Sequence, residues 1–106
     1  MALELTENFS DINWYARNKE LIEQFIFTAS TYYKKMNVNE FWLKDKLFNN
    51  DCEFDVRIFL NSSDISIEVT AFSNAFYKDI KHIYEHISLY TEVVILDDDG
   101  EEYKFE

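Results

Sequence analysis

From Cys52 to Thr70 the side chains alternate: Phe54, Val56, Ile58 and Leu60 are interleaved with Glu53, Asp55, Arg57 and Phe59, and Ile65, Ile67 and Val69 with Ser66, Glu68 and Thr70. A period of two belongs to a strand, whose successive side chains leave opposite faces, so one face of this stretch is committed to a core. The polar run Asn61, Ser62, Ser63 and Asp64 between the two halves predicts a turn and hence two antiparallel neighbours. A chain that holds this hairpin must also supply an apolar cover for it.

The flanking sequence predicts that cover as helices. From Ile12 onward, apolar residues recur at helical spacing through Trp14, Tyr15, Leu21, Ile22, Phe25, Ile26, Ala29, Tyr32, Tyr33 and Met36, with Ser10 or Asp11 as the N-cap. The expectation is one long amphipathic helix over 11–36, with Lys34 and Lys35 in its last turn. Asn37, with Glu40 three residues on, resembles a capping box and predicts a second short helix carrying Val38, Phe41, Trp42, Leu43, Leu47 and Phe48. Ser73 caps a third helix, with Phe72 placed to staple onto Tyr77 and with Phe76, Ile80, Ile83, Tyr84 and Ile87 on its apolar face.

The third helix, of about sixteen residues, is about 24 Å long and matches a seven-residue strand. It is therefore expected to cross over and return the chain as a parallel neighbour of the preceding strand. The last stretch, TEVVILDDDGEEYKFE, predicts a closing β-hairpin: Val93 to Leu96, an acidic tip with one glycine, then Tyr103 and Phe105 alternating with Lys104. Ala2 to Thr6 reads either as an edge strand or as an N-terminal arm. The predicted fold is a single-domain α/β (α+β) two-layer sandwich. Its N-terminal helices and one crossover helix pack on one face of a four- to five-stranded mixed sheet that ends in a β-hairpin.

Composition separates this chain from disordered and membrane classes. With 47% hydrophobic and 18% aromatic residues it can build a core despite its charge. No apolar run is long enough to span a bilayer, and the opening residues have neither the basic start nor the apolar stretch of a secretion signal, so cytoplasmic residence is expected. The single Cys52 suits a reducing compartment. Asn8-Phe9-Ser10 and Asn61-Ser62-Ser63 match the glycosylation acceptor pattern, which carries no meaning without secretion.

The net charge of −11 is distributed unevenly. Residues 1–50 hold seven acids and six bases, a net of −1, whereas residues 51–106 hold fourteen acids and four bases, a net of −10. Such a field disfavours nucleic acid and anionic lipid as direct partners and favours a basic protein. Strand parity then nominates a surface. If Val56, Ile58, Ile65, Ile67, Val93 and Ile95 face the helices together with Phe54, Leu60, Val69, Tyr103 and Phe105, the opposite face is acidic with an apolar middle. The candidate partner-binding residues are Glu53, Asp55, Phe59, Glu68, Glu92, Val94, Leu96, Asp97, Asp98, Asp99, Glu101 and Glu102.

No catalytic pattern stands out, and no enzyme, cofactor or resident metal is expected. His82-Ile83-Tyr84-Glu85-His86 fits H-x-x-E-H, yet it lacks a third ligand, and both histidines fall on the solvent side of the predicted helix. An EF-hand alignment of the acidic tip puts Ile95 where an oxygen ligand belongs. Cys52 has no nearby histidine to activate it. Size and charge instead suggest a small inhibitor of a basic protein. One form is an immunity protein that neutralises a bacterial nuclease-type toxin by covering its nucleic-acid-binding or active-site cleft; another is a phage inhibitor of a nucleic-acid-handling defence enzyme. The alternative is a structural or adaptor subunit, with a homodimer as its simplest form.

Overall fold

A computed structural model describes residues 3–45, 54–70 and 73–105. The elements are β1 (Leu3–Phe9), α1 (Ile12–Arg17), α2 (Lys19–Phe27), β2 (Tyr32–Asn37), β3 (Glu40–Leu43), β4 (Val56–Leu60), β5 (Asp64–Val69), α3 (Asn74–Ser88) and β6 (Val93–Leu96). The strands form one open sheet in the order β2-β3-β4-β5-β1-β6, with every neighbouring pair antiparallel. The fold is thus α+β. Six antiparallel strands replace the four- to five-stranded mixed sheet expected from sequence.

The β4–β5 hairpin forms as its alternation predicts, with Ile58 opposite Ile67 and Arg57 opposite Glu68. Helix α3 also forms where expected: the Ser73 hydroxyl accepts the Phe76 N–H, and Phe76, Ile80, Ile83 and Ile87 are buried. The proposed staple partner Phe72 lies outside the described residues. The crossover is right in direction and wrong in adjacency. β5 and β6 each pair antiparallel with β1, so they run the same way with β1 inserted between them. The N-terminal segment is therefore an interior strand, neither an arm nor an edge.

The largest correction concerns the predicted long helix. Asp11 caps its start, its carboxylate accepting the Trp14 N–H at 3.0 Å, but the helical stretch breaks at Asn18 and ends at Phe27. Thr28, Ser30 and Thr31 explain the stop, because short hydroxylated side chains compete for backbone groups and favour turns over helix interiors. The Thr28 hydroxyl donates to the Phe25 carbonyl, while the Asp79 carboxylate of α3 accepts the Ser30 and Thr31 N–H groups and both of their hydroxyls. The chain leaves that knot as β2.

The predicted second helix is likewise strand. Asn37 and Glu40 do bond side chain to side chain at 3.0 Å, but across the two-residue turn of the β2–β3 hairpin rather than at a helix start. Phe41, Trp42 and Leu43 are all buried in β3, which satisfies their apolar crowding from both faces of the sheet. Leu47 and Phe48 lie outside the described residues.

The closing hairpin is cut short. After β6, Asp97 turns the chain: its N–H donates to the Glu101 carbonyl at 2.8 Å, and its carboxylate accepts the Asp99 and Glu101 N–H groups. Gly100 sits at φ 78, a left-handed conformation that glycine adopts without a Cβ penalty. A bridge, Leu96 to Glu102, and the bond from Tyr103 N–H to the Ile95 carbonyl follow. Phe105 then packs its ring 5.5 Å from both Tyr77 and Tyr84 of α3.

One core cluster draws on both helices and strands. Tyr15 of α1, Ile22 and Ile26 of α2, and the four buried apolar residues of α3 belong to the same cluster as Leu5, Ile58, Ile65, Ile67, Val69, Val93 and Ile95 of the sheet. The Tyr15 hydroxyl pins α1 to the β4–β5 turn through the carbonyls of Asn61 and Asp64, at 2.6 and 2.8 Å. Among the described residues no helix is long and apolar enough to cross a membrane.

Candidate functional site

The sheet face opposite this core can be read directly from the strand register. One row crosses the sheet as Trp42, Arg57, Glu68 and Glu4; the next runs Glu40, Phe59, Ser66, Thr6 and Leu96; a third carries Asp64, Asn8 and Val94. Phe59, Glu68, Val94 and Leu96 therefore lie on the outward parity, as their alternation predicts. Each is half-buried, so the face is neither fully open nor covered by a described segment.

Two nominated residues fall elsewhere. Asp55 is fully buried: it occupies a bend just before β4, where its N–H donates to the Leu43 carbonyl and its carboxylate accepts the Asp45 N–H at 3.0 Å. The alternation breaks at that bend, because Asp55 and Val56 are both inside. Phe54 changes sides with it, its ring lying tilted against Trp42 at 4.8 Å between centroids on the outer surface instead of entering the core. Glu53 lies outside the described residues.

The two halves of the outer face differ chemically. On the β2–β4 half, the Arg57 guanidinium sits 4.4 Å from the Phe54 ring centroid and 5.6 Å from that of Phe59, and Lys34 stands over Trp42 at 5.4 Å. These are cation–π distances. The Trp42 indole N–H donates to Glu40 at 2.7 Å. On the β5–β1 half, Glu68 and Glu4 are direct cross-strand partners of like charge, a pairing that costs stability. Arg57 offsets Glu68 through a 3.0 Å ion pair. Among the described residues the Glu4 carboxylate has no ion pair.

A groove of about 320 Å³ runs between these halves, lined by Glu4, Thr6, Phe59, Ser66 and Glu68. The acidic turn reaches the same place. The Asp98 carboxylate accepts the Glu4 backbone N–H at 2.8 Å, which ties the 97–102 turn to the end of β1. Glu4 and Glu68 thus share this groove with one aromatic ring, and the acidic turn is tied to its Glu4 end. Glu92, Asp99, Glu101 and Glu102 are exposed around this region or along the same edge of the fold. Glu4, Thr6 and Ser66 escape sequence reasoning, because Ala2 to Thr6 reads from sequence as an edge strand or an arm and its two strand neighbours follow only from the tertiary pairing.

Metal chemistry finds little to work with. His82 and His86 share the solvent side of α3 with ring centroids 4.1 Å apart, and the His86 Nδ1 donates to the His82 carbonyl. No group of three or more histidine, cysteine or acidic side chains among the described residues is placed to hold an ion. One oxygen of the Asp97 carboxylate accepts two backbone N–H groups. Cys52 lies outside the described residues.

A further buried carboxyl lies on the core side of the sheet. Glu7 of β1 points into the core with 1% exposure, and burial pushes its carboxyl up to about 8 from an ordinary 4.5. It interrupts the apolar alternation of Leu3, Leu5 and Phe9, which is why β1 reads from sequence as a fragment ending at Thr6.

The molecule is an α+β protein built on a six-stranded antiparallel open sheet, with an acidic, partly aromatic outer face. No protein-family model, curated protein sequence or solved structure matches this chain.

Proposed function

We propose that this chain is a small, non-enzymatic acidic protein that binds a basic protein and neutralises it. The sheet and helices are read as a two-layer sandwich, with the sheet's outer face and the acidic 97–102 turn as the docking surface. The most concrete form is an immunity protein set against a nuclease-type toxin, its carboxylates replacing nucleic-acid phosphates in the toxin's cleft. A phage inhibitor of a nucleic-acid-handling defence enzyme would use the same physics.

The observation that carries this proposal is the pairing of Glu4 with Glu68 in a groove beside Phe59, with the Asp98 turn tied to the Glu4 backbone. Placing like charges together costs folding stability, a cost that a cationic partner would offset on binding. The aromatic ring supplies the apolar anchor that interfaces use for affinity, while the rim acids accelerate encounter.

Affinity capture of the tagged chain from its native cells, with identification of the eluted proteins, tests the proposal. A basic nuclease is expected in the eluate, inhibited by the pure chain, with association slowing as salt rises. Charge reversal at Asp97, Asp98 and Asp99 should weaken that complex more than reversal at Glu20 and Glu23. Equal effects, or a captured nuclease that stays fully active, would sink it.

Self-association is a second reading, favoured by an exposed apolar strip at the other end of the molecule. Ile12, Leu89 and Tyr90 are exposed there, and the Tyr90 ring stacks 6.2 Å from Trp14 and 6.3 Å from Phe25. Sedimentation velocity separates the two: an apolar dimer persists or strengthens in high salt, whereas the isolated inhibitor is a monomer at every salt concentration.

A further inference from the structure

Glu7 is a carboxyl placed inside the apolar core of the fold that contains it. Its strand neighbours in register are Ile65 and Ile95, and its side chain lines a void of about 10 Å³ with Ile22 and Ile26 of α2, Ile58 and the β5 residues Ile65 and Ile67, and Ile80 and Ile83 of α3. Its Oε1 is buried without a hydrogen-bond partner among the described residues. A water molecule in such a site needs two to four polar partners, and here Glu7 is the only polar lining residue.

The ionisable groups that interact with Glu7 do nothing to compensate it. From α1 it meets the Tyr15 phenol, and from α3 the Tyr84 phenol; both are made harder to ionise by burial first and by neighbouring carboxylates, Glu7 among them, second. Their hydroxyl protons are committed elsewhere, Tyr15 to the Asn61 and Asp64 carbonyls and Tyr84 to the Val93 carbonyl. From α2, β4, β5 and β6 it faces only isoleucines. No cation among the described residues offsets a charge at this position.

An unpaired buried carboxylate is costly enough that the group either stays protonated or reaches water. Reaching water requires the isoleucines of α2 and α3 to part from β1. We propose that Glu7 is a proton-operated latch: protonated, it lets α2 and α3 close over β1, and on losing its proton it favours a state in which that contact opens. The latch stands independently of any partner, because it needs only the core geometry.

Its titration sets the working range. A carboxyl ionising near 4.5 in the open state and near 8 in the closed one makes the open-to-closed ratio rise about tenfold per pH unit across that interval, and level off above it. The direction follows from proton binding: between those values the closed state holds a proton that the open state has released.

Native-state hydrogen exchange of the β1 and α3 amides, measured at about pH 5.5, 6.5 and 7.5 and corrected for intrinsic exchange, reads the opening constant directly. The expected result is a rise of about tenfold per unit in the natural protein and no such rise in Glu7→Gln. A flat profile in the natural protein, or an equal slope in Glu7→Gln, would overturn the latch. Should Glu7→Gln fail to fold, a carbon-13 titration of the Glu7 carboxyl in the natural protein decides. A midpoint above about 7 upholds the latch, and one below that value removes it.

Discussion

Glu4 and Glu7 leave opposite faces of β1, three residues apart, and nearly everything about their chemistry differs. Glu4 stands exposed opposite Glu68, where water and salt screen its charge. Glu7 sits among isoleucines with an unpartnered oxygen, where nothing screens it. The same side chain is thus a weak surface perturbation on one side of the sheet and a dominant electrostatic feature on the other. Dielectric surroundings, set by which way the strand faces, decide between them.

The largest expected effect is on the inner side. Because the folded state keeps Glu7 protonated up to about 8 while the unfolded chain ionises it near 4.5, its contribution to stability is lost as pH rises through that interval and changes no further above it. The loss amounts to at most about 5 kcal/mol over the whole interval. Glu7→Leu should therefore raise the denaturation midpoint far more at pH 8 than at pH 5, as measured by chemical unfolding at both. Equal gains at the two values would place Glu7 in ordinary solvated surroundings and erase the contrast.

A smaller break on the same side tests how α1 is held. Tyr15→Phe removes the hydroxyl that bonds the Asn61 and Asp64 carbonyls and should cost about 1–3 kcal/mol in unfolding free energy. A change within a few tenths would mean that the β4–β5 turn satisfies those carbonyls without α1.

On the outer side the effects shrink and become salt-dependent. Arg57→Ala leaves Glu68 facing Glu4 without its counter-charge and strips a cation from Phe54 and Phe59; about 1 kcal/mol is expected, part of it recovered in high salt. Glu4→Gln should do the reverse, stabilising by a few tenths of a kcal/mol at low ionic strength and not at all at about 1 M salt. An effect of Glu4→Gln as large as that of Glu7→Leu would mean the two faces are not electrostatically distinct.

Much of the fold is legible in the residues because some patterns admit one satisfying structure. The alternation of Val56 to Leu60 and Ile65 to Val69 buries a face only as paired strands. Likewise, Ser73 followed by Phe76, Ile80, Ile83 and Ile87 buries a stripe only as a helix. These signals are local, so no knowledge of distant neighbours is needed. The outward placement of Phe59, Glu68, Val94 and Leu96 follows from the same alternation.

Other segments have no local solution. Tyr32 to Leu43 is aromatic-rich and short, which suits either helix or strand; the Asp79 carboxylate, nearly fifty residues away, holds the turn at Ser30 and Thr31 from which the chain leaves as β2. The Leu3–Phe9 strand hides behind Glu7, since a charged residue at an inward position ends an apolar alternation to any sequence-based reading. Its place between β5 and β6 depends on pairing with two strands that lie far along the chain from it. That pairing builds the groove and brings Glu4 to Glu68, and it also buries Glu7. Periodicity sets which side chains of a strand share a face, but contact between segments far apart in the chain decides what each face meets.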